Sequence, residues 1–177
     1  MITRADVLQL LNRIDWPENH PRIRPPMPIE VQAFTERTGV TLPDILLEWL
    51  RVVNGARIGP GGVFGLQDED PYASIDLCLR DLPNWRRKQW LPVAGDGCGN
   101  FYVFVPEEDR RCVYFIDSIE GYDELCYACA SNLWTFLWFL FKCELEESTW
   151  PFDREHVVQV DPNIVSCQLA PLPWSAD

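Results

Sequence analysis

The chain has 177 residues, enough for one domain of ordinary size. Its apolar content of 47% and aromatic content of 12% exclude a wholly disordered chain. With 27 acidic against 15 basic residues the net charge is −12, which disfavours nucleic acid and anionic membranes as partners and favours basic proteins.

The first helix is expected over residues 5–14, with Val7, Leu10, Leu11 and Ile14 on one face and Thr3 as its cap. Pro17, Pro21, Pro25, Pro26 and Pro28 then impose an extended connector. A second helix starts at Pro28, presents Ile29, Ala33 and Phe34 as its apolar side, and ends at Gly39. Pro43 opens a third, in which Ile45, Leu46, Trp49, Val52 and Val53 recur at helical spacing until Asn54-Gly55 stops it.

From Gly61 the pattern changes to short apolar runs between turn residues. Val63–Leu66, Ile75–Leu79, Leu91–Ala94, Phe101–Val105 and Val113–Ile116 read as strands, the last two joined as a hairpin through residues 106–110. Pro83–Gln89 reads as a short helical turn. A strong helix follows at about 132–147, capped by Ser131 or Asn132. Its apolar residues Trp134, Leu137, Trp138, Phe139, Leu140 and Phe141 are too many for one stripe, so much of its circumference should be buried. The remainder, 148–177, holds one strand-like run, His156–Val160, and then a Pro-rich stretch, packed or disordered. Helices, then strands, then a helix predict an α+β domain with an antiparallel or mixed sheet and the C-terminal helix packed on it.

No catalytic constellation emerges. The two histidines, His20 and His156, adjoin no nucleophile signature. Cys126 and Cys129 have C-x-x-C spacing, but no second pair follows, and the pair does not open a helix after a strand. Packing thiols explain them, with a metal or redox role, in which Cys143 and His156 supply further ligands, as the alternative. The seven cysteines, an odd number, and the absence of a secretion signal in Met1–Asp6 suggest reduced thiols in a cytoplasm. Leu133–Phe141 is far short of the ~20 apolar residues of a membrane-spanning helix. Gly59–Gly62 and Gly95–Asn100 both precede strands, so they read as tight turns rather than phosphate cradles. Asp68-Glu69-Asp70 lacks calcium-loop spacing. No cofactor, metal or enzymatic activity is expected.

Three stretches in order carry a resemblance. They are Ile29-Glu30 with Gly39-Val40-Thr41-Leu42-Pro43 and Leu50–Gly55, then Trp90–Phe104 with its L-P-V-A-G-D-G-C-G-N core, then Cys129–Leu137. Together they resemble the SUKH superfamily, which includes fungal cell-wall synthesis regulators, the bacterial Syd protein and many immunity proteins of polymorphic toxin systems. The resemblance covers about 28–147. It implies a SUKH-like domain there, preceded by a helix and connector (1–27) and followed by an extension (148–177). The shared residues Gly39, Leu42, Pro43, Asn54, Gly55, Pro92, Gly97, Gly99 and Asn100 hold shape.

What the resemblance implies is a protein-binding module, foremost an immunity protein that binds and neutralises a basic, nuclease-type toxin domain. A housekeeping adaptor or regulator of the same fold, related to cell wall or secretion, is the other reading. Loop position and charge nominate Asp68, Glu69, Asp70, Asp96, Glu107, Glu108, Asp109, Glu120, Asp123 and Glu124 as partner-binding residues.

Overall fold

A computed structural model describes residues 2–15, 24–66, 73–106 and 111–175. Helix α1 spans Arg4–Leu11, and Thr3 and Asp6 close a reciprocal capping box at its start. Helix α2, Pro28–Thr38, has proline in its first turn and Gly39 at φ +72° after its last. Its expected apolar side is only partly inward. Phe34 is buried, but Ile29 and Ala33 are exposed, because α2 meets the core through Phe34 and Thr38. Helix α3 covers Asp44–Leu50, with Pro43 just before it.

Two expected strands are not strands. Ile75–Asp81 is helix α4, because Ser74 caps it (its hydroxyl accepts from the Leu77 N–H at 3.3 Å) and Ile75 and Leu79, one turn apart, are both buried. Residues 63–66 run extended but make only isolated bridges, among them Val63 to Ala56 and Val63 to Ala94. Helix α5, Pro83–Lys88, follows α4 directly.

Among the described residues the sheet has four strands, β1 (Leu91–Gly95), β2 (Phe101–Phe104), β3 (Val113–Ile116) and β4 (Tyr127–Ala130), antiparallel in the order β1-β2-β3-β4. The sequence predicts no strand at β4, where Cys129 reads as one of two packing thiols and Cys126, the other, stands just before it. Tyr127 favours a strand, but Ala128, Cys129 and Ala130 do not mark one by themselves, and pairing with β3 makes the segment a strand. Pro92 sits in β1 where the register with β2 shifts, a place that tolerates a missing N–H.

The two faces of the sheet are covered differently. On one, Phe101 meets Trp85 of α5 and Phe64 at centroid distances of 5.3 and 6.0 Å. On the other, Tyr102 meets Phe136 of helix α6, Leu133–Glu144, at 5.1 Å and Trp150 at 5.7 Å. Helix α6 is capped by Asn132 and buried around most of its circumference, as expected. Its outer flank is covered by α1 and by Trp49 of α3, whose ring lies 5.8 Å from Phe141.

The C-terminal segment is folded onto this core rather than trailing. His156–Val160 lies not in a strand but in helix α7, Arg154–Val160, because Asp153 caps it through the His156 N–H. A 3-10 turn, Pro162–Ser166, follows. Together they close the outer edge of β4. Ala128 N–H donates to Pro171, the Trp150 indole N–H donates to the Cys129 carbonyl, and Asp161 accepts from the Ser131 N–H and hydroxyl at 2.7 and 2.5 Å. The expectation of uniformly reduced cysteines fails here. Cys112 and Cys167, 55 residues apart, are disulfide-bonded and nearly fully buried.

Candidate functional site

The two glycine-rich segments, each a turn by itself, are one construction. Gly61 packs backbone against backbone on Gly95–Gly97, so close that a Cβ on Gly61 would stand 2.4 Å from the Gly97 nitrogen. Gly95 N–H donates to the Gly62 carbonyl at 3.1 Å, and Phe64 N–H to that of Val93 at 2.9 Å. The result is a cleft of about 500 Å³ walled by Arg57, Gly61, Phe64, Gly97, Asn100 and Phe101. Among the described residues its walls carry no carboxylate, thiol or imidazole. They offer peptide groups, aromatic faces and the side chains of Arg57 and Asn100, which suit binding.

Asp96 is the knot of the β1–β2 turn. One carboxylate oxygen accepts from the Cys98 and Asn100 N–H groups at 2.7 and 3.0 Å, and the other from the Asn100 side-chain amide at 2.7 Å. Asn100 in turn accepts from the Ser118 N–H and hydroxyl, both at 2.9 Å. Positive φ at Gly97 (+81°) and Gly99 (+95°) lets the turn close. Asn100 therefore brings the β1–β2 turn and the β3–β4 loop, residues 117–126, together.

That loop runs across the sheet to α5. The Trp85 indole N–H donates to the Tyr122 carbonyl (2.6 Å), the Asn84 amide to the Asp123 carboxylate (2.7 Å), and the Lys88 ammonium to the Asp123 carbonyl (2.5 Å). Glu120, Asp123 and Glu124 stand exposed on it, beside Ile119 at 92% exposure. Asp123 is partly neutralised by Lys88 at 3.5 Å. Of the nominated partner-binding residues, Asp96, Glu120, Asp123 and Glu124 thus share one joined pair of loops. Asp68, Glu69, Asp70, Glu107, Glu108 and Asp109 lie outside the described residues, as does His20.

The nominated scaffold residues do more than punctuate. Asn54 is buried; its side-chain amide donates to the Arg24 carbonyl at 3.0 Å and its oxygen accepts from the Leu66 N–H at 2.8 Å. Gly55, at φ +89°, lets the chain turn beside it. Leu42 is buried in the core.

Cys126 and Cys129 are not a chelating pair. Cys129 is buried in β4, while the Cys126 sulfur, at its start, accepts from the Asp117 N–H and lies 3.4 Å from Glu120. Positions three apart along a strand face opposite sides. Burial pushes both thiols above their ordinary range. Among the described residues no group of three or more His, Cys, Asp and Glu side chains could hold a metal ion.

A contact that sequence spacing did not suggest joins Ser148 and His156, hydroxyl to Nε2, at 3.3 Å. Ser148 also accepts from the Trp150 N–H, Asp153 meets His156 through its backbone N–H, and the imidazole packs on Trp138 and Phe139. This is a junction that fixes α7 on α6.

A family model described as the SMI1 / KNR4 family (SUKH-1) matches residues 25–137, more than half of the chain. The chain belongs to this family. The SUKH-1 match runs from just before α2 into α6 and takes in the paired glycine loops, the cleft and the β3–β4 loop; Cys167 and helix α7 lie beyond it. No curated protein and no solved structure matches the chain. Among the described residues no helix is long and apolar enough to cross a membrane.

Proposed function

We propose that this SUKH-1 protein is a non-enzymatic immunity protein that neutralises a basic, nuclease-type toxin domain, the chain acting as one binding unit. The observation that carries the reading is the exposed acidic loop, Glu120 to Glu124, fixed to the sheet through Ser118 and to α5 through Tyr122 and Asp123. A rigid loop presents charge without an ordering cost on binding. A net charge of −12 favours fast encounter with a basic partner. Asp68, Glu69, Asp70, Glu107, Glu108 and Asp109 remain proposed contributors through charge alone. Asp96 contributes by holding the loop pair, since its oxygens are engaged within its own turn.

The test is affinity capture from the native host with a salt-gradient elution, followed by toxin-rescue assays. A basic toxin domain released at raised salt is expected. Glu120→Lys with Glu124→Lys should lower its association rate by at least about tenfold at low salt and flatten the salt dependence. Capture of an endogenous, non-toxin protein instead would favour the regulator reading within the same family. Unchanged binding by the double variant would remove the loop from the interface.

A further inference from the structure

Much of the wall of the cleft is bare backbone, Gly59 to Gly62 on one segment and Gly97 and Gly99 on the other. Phe64 and Phe101 supply its aromatic surface, their rings edge to face at 6.0 Å. Its volume of about 500 Å³ lies within the ~300–1,000 Å³ of ligand pockets. The close approach of the two loops and the positive φ of their turns account for the glycines. They do not account for the unfilled space between them.

The lining says what fits there. The chain carries a net charge of −12, yet among the described residues the walls hold no carboxylate, and their one charged residue is Arg57 at the exposed rim. Asn100 gives its amide to Asp96 and its oxygen to Ser118. A lysine or arginine entering the cleft would meet no counter-charge and would lose its water without compensation. A flat aromatic ring would lie against peptide planes that carry no side chains and pack edge to face on Phe64 and Phe101.

The cleft also adjoins the acidic loop. The Phe101 ring meets Tyr122 of that loop at 5.9 Å, and Asn100 is bonded to Ser118 at its start. An uncharged socket therefore continues into a loop that carries Glu120, Asp123 and Glu124. An apolar centre beside a charged rim is the anatomy of a protein interface, with a buried aromatic as its usual anchor.

We propose that the cleft is the socket for an aromatic side chain of the basic protein partner, whose lysines and arginines meet the acidic loop. The inference rests on the reading that the partner is basic, and it adds which kind of residue anchors that partner and where.

The experiment uses the full chain and three acetylated, amidated pentapeptides, each with two lysines on either side of a central tryptophan, leucine or alanine. Their charge is equal, so the acidic loop attracts all three alike. By calorimetry at low salt the tryptophan peptide is expected to bind about tenfold tighter than the alanine peptide and about threefold tighter than the leucine peptide. Backbone amide shifts should move at Gly61, Gly97 and Phe101 as the tryptophan peptide is added. Phe101→Leu keeps an apolar side chain and loses the ring, so the tryptophan and leucine peptides should bind it alike. A melting curve checks that this variant folds; if it does not, the amide shifts of the unaltered chain decide the site. Equal binding of the three peptides, shifts away from the cleft, or a tryptophan preference unchanged in Phe101→Leu overturns the proposal. Glu120→Lys with Glu124→Lys should weaken all three peptides and keep their ratio. If the three bind equally while charge reversal still weakens each, the acidic-loop reading stands without the socket. If the tryptophan preference holds and charge reversal changes nothing, the socket stands and the acidic-loop reading falls.

Discussion

Replacing Gly61 with alanine should destabilise the protein far more than replacing Gly39, although only Gly39 of the two has a left-handed backbone. A Cβ on Gly61 would lie 2.4 Å from the Gly95 carbonyl carbon and the Gly97 nitrogen, and 2.7 Å from the Asp96 nitrogen. These are backbone atoms, so no rotamer change relieves the clash. Ordinary carbon contacts begin near ~3.5 Å, so one segment must retreat by about 1 Å. That retreat strains the Gly95 N–H to Gly62 bond, 3.1 Å long, and opens the wall of the cleft. Overpacking costs about 1–3 kcal/mol and a weakened backbone hydrogen bond about 1 more, so about 3 kcal/mol is expected. At Gly39, φ is +72° and a Cβ would meet nothing within 4 Å, leaving only a conformational cost of about 1 kcal/mol. Urea unfolding followed by the fluorescence of the eight tryptophans measures both. A difference of about 2 kcal/mol corresponds to roughly 4–8 °C in melting temperature for a chain of this size. If Gly61→Ala costs no more than Gly39→Ala, the close approach of the two glycine loops is wrong.

Further expectations follow from the C-terminal segment. Burial raises the Asp161 carboxyl above its ordinary 3.8 despite the Ser131 bonds, so the unfolded chain releases this proton at lower pH than the folded one. Its contribution is therefore fullest below about pH 4 and declines as pH rises through the folded value. Asp161→Asn should gain on the wild type, in urea midpoint, as pH rises from about 4 toward 7, and a difference that is flat or falling across that range would contradict this. Thiol titration of denatured, unreduced protein should find five free cysteines and, after reduction, seven. Cys112→Ser should lower stability by up to about 4 kcal/mol, the loop-entropy value for a 55-residue separation; seven thiols before reduction would contradict the bond.

Local chemistry determined much of this protein. Thr3, Pro28, Gly39 and Asn132 set helix ends through groups within one turn of themselves, and each does so in the structure. The density of apolar residues in α6 required burial on nearly every side, whatever covered it. The first three strands carry enough apolar and aromatic residues to be legible alone. Short elements were not. Ile75–Asp81 and His156–Val160 have too few residues to display a period, and Ser74 and Asp153 decided them as caps. Tyr127–Ala130 became a strand because β3 lay beside it. What only tertiary structure decided were contacts between segments distant in sequence. These are Gly61 against Gly97, Asn100 with Ser118, Cys112 with Cys167, and Phe152 beside Tyr127. Spacing along the chain carries no information on such pairs, since either partner alone is an ordinary turn residue, thiol or ring. The packing of the sheet, the α5 layer and the C-terminal segment turns them into a cleft, a tied loop and a ring contact.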